Sequence, residues 1–248
     1  MNKGVLYAVM GSPGGRYLGE VLDSARSLKK FEPGLNVCVV TDKPEMVPLH
    51  DAVDQLIKGD CPPKKLILRA KIDALGLTPY DRTLFLDSDT YICGRISQIF
   101  SILDNYDLAM VIAPRRVDPG WVSKDTEIPS WLPEFNSGVM LMRKSEASAR
   151  LLVEWRRTYM KYAKWNDQMS LRATLFSGLK YGLKIYSMPP EYNCRILCMA
   201  QVGGKVLILH GRGDMKKVCS QINASMGIRV YIPDHGLFRR KDWTYDGK

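Results

Sequence analysis

The sequence contains no apolar stretch long enough to cross a bilayer as a helix, which requires about 20 predominantly apolar residues. The apolar run near the N-terminus, residues 4–10, is too short for the hydrophobic region of a signal peptide with its cleavage site. We interpret this run as a first strand. The chain is therefore expected to be cytoplasmic and to have no transmembrane segment.

Paired cysteine motifs are also absent. None of the six cysteines forms Cys-x-x-Cys, and Cys194 and Cys198 have no partner pair at the spacing of a zinc site. The six are Cys38, Cys61, Cys93, Cys194, Cys198 and Cys219. This pattern argues against a structural zinc site and favours reduced thiols, mostly in the core, as expected in the cytosol.

Two common nucleotide-binding signatures are missing as well. The loop Gly11-Ser12-Pro13-Gly14-Gly15 is neither Gly-x-x-x-x-Gly-Lys-Ser/Thr nor a regular Gly-x-Gly-x-x-Gly, which excludes a P-loop and argues against a dinucleotide fold. No repeat, low-complexity tract or clear linker divides the chain. We expect one domain over residues 1–248, with a nucleotide-binding half (about 1–100), an acceptor half (101–217) and a basic C-terminal tail (218–248).

The composition is that of a globular protein with a sizeable core and an excess of positive charge. Hydrophobic residues make up 46% of the 248 residues, which suits one α/β domain. Lys and Arg outnumber Asp and Glu by 36 to 26, giving a net charge of +10. Such an excess favours anionic partners, such as nucleic acid, an acidic membrane surface or phosphorylated substrates, without choosing among them.

The order of the predicted elements indicates an α/β fold. A strand at 4–10, the glycine-rich loop, a helix from Tyr17 to Lys30 and a strand from Asn36 to Thr41 are the opening of a nucleotide-binding α/β fold. Glycines let a backbone approach a ligand closely, and a helix start favours anions. Further apolar patterns predict strands at 84–86, 107–113 and 206–209 and helices at about 64–75 and 145–165.

The most informative stretch is Leu84-Phe85-Leu86-Asp87-Ser88-Asp89. Its unbroken apolar run predicts a strand buried on both faces, as in the middle of a parallel sheet. Side chains two residues apart in extended chain point to the same side, so Asp87 and Asp89 can reach one divalent cation, which would neutralise their repulsion. In open α/β sheets ligands bind at the carboxyl ends of strands. The simpler alternative is that Asp87 caps a helix and Asp89 is solvated.

Three other polar groups are expected at the carboxyl ends of strands and so at the same edge of the sheet. They are Phe135-Asn136-Ser137-Gly138, Asn166-Asp167-Gln168 and His210-Gly211-Arg212-Gly213. Simpler interpretations stay open for two members. His210 fits a hydrogen-bonded histidine at a strand end, and Asp167 fits a helix N-cap.

In this order the motifs resemble those of the glycogenin-like, retaining nucleotide-sugar glycosyltransferases, which have the GT-A fold. The resemblance extends from the first strand to about Lys217, and its most specific parts are Asp87-x-Asp89 and His210-x-x-Gly213-x-x-Lys216. It implies a Rossmann-like, mostly parallel central sheet flanked by helices. It also implies transfer of a sugar from a nucleoside diphosphate, with UDP expected, to an acceptor hydroxyl with retention of configuration.

The resemblance also implies roles for individual residues. Asp87, Asp89 and His210 are the expected metal ligands, and Asp167 and Gln168 are expected beside the anomeric carbon. The expected donor-binding residues are Met10, Gly11, Tyr17, Lys71, Asp87, Ser88, Asn136, Ser137, Gly138, Gly213 and Lys216, with Lys216 on the diphosphate. One departure is Lys216-Lys217-Val218, where the family often has Lys-Pro-Trp.

These residue types suit the chemistry independently of the family. Negative charge grows on the leaving phosphate, where a divalent cation acts as a Lewis acid and a lysine adds positive charge. The sugar becomes oxocarbenium-like, so nearby carboxylate or amide oxygens stabilise it. Two carboxylates and one imidazole suit Mn²⁺ somewhat better than Mg²⁺, which prefers oxygen ligands and water.

Two other classes of protein share features of this sequence. A sugar-phosphate nucleotidyltransferase has a glycine-rich signature that continues to an arginine and then Leu-x-Pro, whereas Arg16 is followed here by Tyr17-Leu18-Gly19. A non-catalytic nucleic-acid-binding protein would account for the basic charge, but clustered carboxylates would weaken its binding. A transferase that glycosylates nucleic acid combines both properties.

The acceptor is the least defined partner in the sequence. Two basic surfaces lie outside the donor motifs, and each is either solvated or in contact with an anionic acceptor, a nucleic acid or a membrane-associated glycan. They are the helix face of Arg150, Arg157, Lys161 and Lys164 and the tail segment Arg239-Arg240-Lys241. The proline-rich segment 114–133 is interpreted as a functional loop, in which Trp121 and Trp131 either stack on a sugar or pin the loop.

Overall fold

The computed structural model describes residues 1–11, 15–47, 52–114, 128–161, 167–233 and 235–239. Thirteen strands and five α-helices lie in these ranges. The strands are β1 (Lys3–Val9), β2 (Asn36–Thr41), β3 (Gln55–Lys58), β4 (Arg82–Leu86), β5 (Thr90–Ile92), β6 (Leu108–Ile112), β7 (Phe135–Arg143), β8 (Ile185–Ser187), β9 (Cys194–Arg195), β10 (Ala200–Val202), β11 (Ile208–His210), β12 (Arg229–Ile232) and β13 (Gly236–Arg239). The helices are α1 (Arg16–Lys29), α2 (Arg69–Gly76), α3 (Glu146–Lys161), α4 (Asp167–Leu179) and α5 (Met215–Ile222).

Seven strands form the central sheet in the order β3-β2-β1-β4-β7-β6-β8. Strands β3, β2, β1 and β4 run parallel, β7 is antiparallel to both β4 and β6, and β8 is parallel to β6. The mostly parallel, Rossmann-like sheet expected from the sequence is confirmed. Strand β7 runs antiparallel to β4 with Leu86 opposite Val139, so the first half of β7 lies beside Asp87.

Helices cover both faces of this sheet, which explains why β4 is an unbroken apolar run. Along β1 and β4 the side chains alternate between two cores, so that Leu84 and Leu86 pack on the side of α1 while Phe85 packs on the other side. Helix α1 contributes Val21, Ala25 and Leu28 to the first core at helical spacing. Helices α2, α3 and α4 supply the second core, which includes the fully buried Trp155.

The helix expected at 64–75 is divided in the structure. Residues Lys64–Leu66 form a 3-10 turn after Pro63, and α2 begins at Arg69. Between them, Ile67 and Leu68 are exposed and line a cleft. The interruption thus turns two apolar side chains away from the core and toward this cleft.

Two small sheets adjoin the central one, in the orders β5-β11-β9 and β10-β12-β13. The segment expected as a basic tail begins inside α5 and includes the β12–β13 hairpin. Arg229 is completely buried there and donates to the backbone carbonyls of Ile222, Gly203, Gly204 and Gly227. These bonds to a buried guanidinium join α5 to the hairpin.

Among the described residues, no helix combines the length and apolar character needed to cross a membrane. The sequence predictions for Trp121, Lys164, Arg240 and Lys241 lie outside the described residues. The backbone of Arg239 is described, and Arg239 is the last residue of β13.

Candidate active site

The predicted metal ligands lie together at the carboxyl end of β4. Asp87 and Asp89 follow β4, and the next strand, β5, pairs with β11 so that Thr90 is opposite His210. His210 Nε2 lies 3.4 Å from Asp89 Oδ1 and 3.8 Å from Asp87 Oδ2. One ligand atom from each of the three residues lies within 4.8 Å of the others. This cluster is a candidate metal centre.

The absence of a side chain at Gly138 leaves room for this cluster. Its carbonyl accepts a hydrogen bond of 2.8 Å from the Asp87 N–H, which fixes the start of the Asp-x-Asp turn against β7. A Cβ at position 138 would overlap the His210 imidazole and lie 2.8 Å from Asp87 Oδ2. A residue without a side chain is therefore required at the point where the strands meet.

Each aspartate of the cluster also contacts a cationic side chain, and Lys71 Nζ reaches both oxygens of Asp87, with Oδ2 at 3.2 Å. Lys71 Nζ lies 2.9 Å from Asp87 Oδ1, and Arg212 Nη1 lies 3.4 Å from Asp89 Oδ2. Although burial acts against it, the hydrogen bond and charge of His210, with the charge of Arg212, lower the pKa of Asp89 to about 2. Two ionised carboxylates and one imidazole converge on one point, a donor set that fits a divalent cation.

Lys71 connects the candidate metal centre to Asp167, one of the two residues predicted beside the anomeric carbon. Its Nζ donates to Asp167 Oδ2 at 3.0 Å and to Ser137 Oγ at 3.1 Å, besides Asp87. Burial opposes the charge of Lys71, but the carboxylates of Asp167 and Asp87 outweigh it and raise the pKa of Lys71. The ammonium group is thus held between two carboxylates.

Asp167 is the first residue of α4 and is buried. Burial favours its neutral form, but the charge of Lys71 and the hydrogen bond from Ser137 Oγ outweigh this and lower the pKa of Asp167. Its carboxylate contacts residues of α2 and β7, which lie outside its own helix. Asp167 therefore connects elements around the site.

Gln168 takes part in a line of buried amides that reaches His210. Asn136 Nδ2 donates to Gln168 Oε1, and Gln168 Nε2 donates to Glu134 Oε1 at 2.6 Å. Asn136 Oδ1 accepts from Asn193 Nδ2 at 2.8 Å, and Asn193 Oδ1 lies 2.9 Å from His210 Nδ1. The sequence predicted Asn136, Gln168 and His210 but neither Asn193 nor Glu134.

Most of the predicted site residues line one cleft of about 400 Å³. They are Met10, Tyr17, Lys71, Asp87, Ser88, Asp89, Asn136, Ser137, Asp167, Gln168 and His210. Gly11 follows Met10 and donates its N–H to Asp42 Oδ1 at 3.1 Å. Arg195, Leu197 and Arg212 also line this cleft and were not predicted.

Gly213 and Lys216 lie elsewhere. They line a neighbouring cleft of about 450 Å³ with Arg16 of α1 and Lys30, which follows α1. Arg212, Ser88 and Asp89 line both clefts. Gly213 has a φ of 131°, which favours glycine. The structure thus does not bring Lys216 to the cleft that contains the candidate metal centre.

Glu20 links helix α1 to the segment that separates the two clefts. Its carboxylate accepts from Arg16 Nε at 2.7 Å, Arg212 Nε at 2.8 Å and Ser88 Oγ at 2.8 Å. Burial opposes ionisation, but the hydrogen bonds from Arg212, Ser88 and Arg16 outweigh it and lower the pKa of Glu20. The contacts of Glu20 with Ser88 and Arg212 were not predicted, because these partners are far from it along the chain, whereas Arg16 is at i,i+4 spacing.

Part of the predicted basic helix face is engaged within the protein. Arg150 pairs with Glu154 at 3.0 Å and lies over the Tyr181 ring at 4.1 Å. Arg157 and Lys161 are exposed.

Trp131, predicted either to stack on a sugar or to pin its loop, is also exposed. Its ring meets the Phe176 ring edge-on, with the two ring centroids 6.3 Å apart.

The fold and site define a nucleotide-sugar enzyme of the GT-A type, and the comparison with protein families agrees. Residues 82–226 match the nucleotide-diphospho-sugar transferase family. Since the match covers more than half of the chain, the protein belongs to this family and is a glycosyltransferase. The matched region contains Asp87, Asp89 and His210.

Three solved structures are similar to the chain in fold. Mouse xyloside xylosyltransferase 1, in its apo form, aligns over 86% of this chain and 98% of its own, with 16% identity and a TM-score of 0.57. The galactosyltransferase LgtC, solved with donor and acceptor sugar analogs, aligns over 85% and 87%, with 15% identity and a TM-score of 0.57. GlyE of Streptococcus pneumoniae TIGR4 aligns over 86% and 55%, with 16% identity and a TM-score of 0.53. The sequence matched none of the curated proteins with which it was compared.

Proposed function

We propose that the protein transfers a sugar from a nucleoside-diphosphate sugar, a UDP-sugar by resemblance, to an acceptor hydroxyl with retention of configuration. The observation that carries this proposal is one cleft in which Asp87, Asp89 and His210 converge beside the Lys71–Asp167 ion pair. The family membership supports the donor class. It also favours glycosyl transfer over nucleotidyl transfer and over nucleic-acid binding without catalysis.

The cluster of Asp87, Asp89 and His210 would hold Mn²⁺ or Mg²⁺. A divalent cation at this position would neutralise the charge that develops on the leaving diphosphate. The residues fit this role because one oxygen of each carboxylate lies within 4 Å of His210 Nε2, and ligand atoms of all three residues lie within 4.8 Å of one another. The expectation of manganese rests on the imidazole ligand.

In the reaction, the bond between the anomeric carbon and the phosphate oxygen breaks, and its electron pair stays on the diphosphate. The acceptor oxygen forms the new bond to the anomeric carbon, and its proton passes to the departing diphosphate oxygen. The oxygens of Asp167 and Gln168 lie in the cleft where they would stabilise the positive charge of the sugar. Lys71, fixed between Asp87 and Asp167, orients both carboxylates, and its charge helps to lower the pKa of Asp167.

The nucleoside would occupy the end of the cleft that contains Met10 and Tyr17. Tyr17 is 53% exposed, and Arg212 lies 6.0 Å from its ring. Gly11, Asn136, Ser137 and Gly138 would complete the donor contacts. Gly213 and Lys216 line the neighbouring cleft, which shares Ser88, Asp89 and Arg212 with this one, so the position of the 211–216 segment decides whether Lys216 reaches the diphosphate.

For the acceptor we propose an anionic molecule, a nucleic acid or a membrane-associated glycan, in the cytoplasm. The support is the net charge of +10, which a donor bound through a metal and one or two lysines does not require. The exposed positions of Arg157 and Lys161 are consistent with it.

The decisive experiment incubates the protein with a panel of nucleotide sugars and Mn²⁺, Mg²⁺ or a chelator, and separates nucleoside diphosphate from pyrophosphate. We expect nucleoside diphosphate to be released from one donor, in a metal-dependent reaction that Asp89→Ala abolishes. Asp60→Ala, at an exposed position, is the matched control and should be unaffected. Full activity of Asp89→Ala, or activity undiminished by chelator, would contradict the metal role, and release of pyrophosphate would contradict sugar transfer.

A further inference from the structure

Five buried or half-buried side chains form a continuous hydrogen-bonded line from Glu134 to His210. The line runs through Gln168, Asn136 and Asn193. Asn193 is 3% exposed and precedes β9, which pairs with β11 in the register Leu209 to Cys194. This pairing places the Asn193 amide against the side of the His210 ring that faces away from Asp89.

The direction of these hydrogen bonds can be deduced from a backbone group. Gly138 N–H can only donate, and it donates to Asn136 at 3.0 Å, so the accepting atom of Asn136 is its oxygen. The same oxygen lies 2.8 Å from Asn193, and an oxygen requires a donor there. The Asn193 nitrogen must therefore face Asn136, and its oxygen must face His210.

The orientation of Asn136 also sets the other end of the line. Since the Asn136 oxygen faces Gly138 and Asn193, its nitrogen faces Gln168 and donates to the Gln168 oxygen. Gln168 then presents its amide nitrogen to Glu134 Oε1 at 2.6 Å. The three amides are therefore oriented together, and none is free to flip alone.

The orientation of Asn193 determines which nitrogen of His210 carries the proton. Since Asn193 presents an oxygen at 2.9 Å from Nδ1, that nitrogen of a neutral imidazole must carry the proton. Nε2 then has its lone pair free, on the side that faces Asp87 and Asp89. Without Asn193, the opposite tautomer would be favoured, because an Nε2–H could donate to Asp89 Oδ1 at 3.4 Å.

We propose that Asn193 is a positioning residue that holds His210 as the Nδ1-protonated tautomer, and that Asn136 couples this choice to the orientation of Gln168. The proposal rests on the proposed function only for the use of the free Nε2 as a metal ligand. A hydrogen-bonded partner on the second nitrogen commonly sets the tautomer of a metal-binding histidine, and its loss costs about 10- to 100-fold in metal affinity.

The tautomer can be observed directly in the metal-free protein. The chain contains three histidines, so ¹⁵N spectra of histidine-labelled protein can be assigned with His50→Gln and His235→Gln. At a pH where the imidazoles are neutral, we expect His210 to show a protonated Nδ1 and an unprotonated Nε2. A protonated Nε2 in the parent protein would overturn the proposal without any variant.

Two substitutions separate the role of Asn193 from a general effect on folding. Asn193→Ala should lose the Nδ1-protonated tautomer, whereas Asn193→Asp, which keeps an acceptor at Nδ1, should retain it. Asn105→Ala is the control at an exposed position and should match the parent. If Asn193→Ala folds and keeps the parental tautomer, or if Asn193→Asp folds and loses it, Asn193 does not set the tautomer.

Metal affinity is measured separately, by calorimetric titration of the same proteins with Mn²⁺. We expect the dissociation constant to rise about 10- to 100-fold in Asn193→Ala and to change less in Asn193→Asp. An unchanged affinity together with a changed tautomer would overturn the link to metal binding. If the parent shows the expected tautomer but binds no Mn²⁺, the metal role in the proposed function fails while the positioning by Asn193 stands.

Discussion

Gly138 shows how closely the backbone approaches the candidate metal centre. A methyl group at this position would overlap the His210 ring and crowd Asp87. We predict that Gly138→Ala displaces these ligands, costs about 1–3 kcal/mol of stability through overpacking, and lowers Mn²⁺ affinity and transfer activity together. Calorimetric metal titration and a urea unfolding curve measure the two effects.

Gly19 provides the matched control, because nothing lies within 4 Å of a Cβ added there in helix α1. Gly19→Ala should leave metal binding unchanged and raise stability by up to about 1 kcal/mol through helix propensity. If Gly138→Ala binds Mn²⁺ as the parent does, the ligand geometry proposed for His210 and Asp87 is wrong.

At the residue scale, the expectation that all four motifs stand at the carboxyl ends of strands was right for Asp87, Asp89 and His210. It was wrong for Asn136-Ser137-Gly138, which lie in the first half of β7, antiparallel to β4, and for Asp167, which begins α4. Asp87 and Asp89 could be found because the buried run of β4 points to one edge of the sheet. Asn193 lies in a turn after Pro189-Pro190, without apolar periodicity. Its contact with His210 depends on strand pairing between distant segments, which local sequence does not specify.

At the scale of elements, Asp107 connects three segments by hydrogen bonds at the end of the sheet opposite the cleft. It precedes β6 and accepts from Arg143 Nη2 at 2.7 Å, Ser145 Oγ at 3.0 Å and the Lys184 N–H at 3.1 Å. Burial raises the pKa of Asp107, but these bonds outweigh it and the net pKa is lowered. Its folded pKa thus lies below the unfolded value of about 3.9.

A lowered folded-state pKa makes the contribution of Asp107 to stability depend on pH. The contribution is complete above the unfolded pKa and is lost as the pH falls through the folded pKa. We therefore predict that Asp107→Asn is less stable than the parent at pH 7 and that this difference shrinks as the pH is lowered below about 4. Urea midpoints at pH 7 and pH 3 measure it. A difference that is the same at both pH values would contradict the assignment.

The segment before α5 determines whether Lys216 reaches the donor. Lys216 and Lys30 line the same neighbouring cleft, whereas the family resemblance assigns only Lys216 to the diphosphate. We predict that Lys216→Ala weakens binding of the nucleoside diphosphate by about 1.5–3 kcal/mol, as expected for a charge-assisted hydrogen bond, and that Lys30→Ala does not. Equal losses in both variants would indicate that the diphosphate binds in the neighbouring cleft. No loss in Lys216→Ala would remove it from the donor site.

The elements themselves were predictable to the extent that each has its own pattern. Helix α1 and strands β1, β2 and β4 follow apolar periodicities that local sequence specifies. Strand β11, at Ile208–His210, overlaps the strand predicted at 206–209. Strands β5 and β9 have three and two residues, too few for a period to be recognised. Both pair with β11, so the structure was required to show which segments surround the predicted His210.

For the molecule as a whole, the charge of +10 is the property that the donor site accounts for least. Strands β10, β12 and β13 form a sheet in the C-terminal region, and the last residue of β13 is the first of the basic run Arg239-Arg240-Lys241. An anionic acceptor held by such residues releases counterions from its phosphates. On duplex DNA the logarithm of the binding constant then falls with the logarithm of salt concentration by about 0.9 per phosphate contact.

We predict that charge reversal of these three residues to glutamate raises the KM for the acceptor, flattens its salt dependence, and leaves hydrolysis of the donor unchanged. The control reverses Lys144, Lys180 and Lys184, which are exposed near the end of the central sheet opposite the cleft. It changes net charge equally, so a purely global electrostatic effect would appear in both variants. Steady-state kinetics across a salt series, with DNA and anionic vesicles as binding partners, provide the measurement. Normal transfer by the tail variant at every salt concentration, with no binding of the parent to either partner, would point to a small neutral sugar as the acceptor.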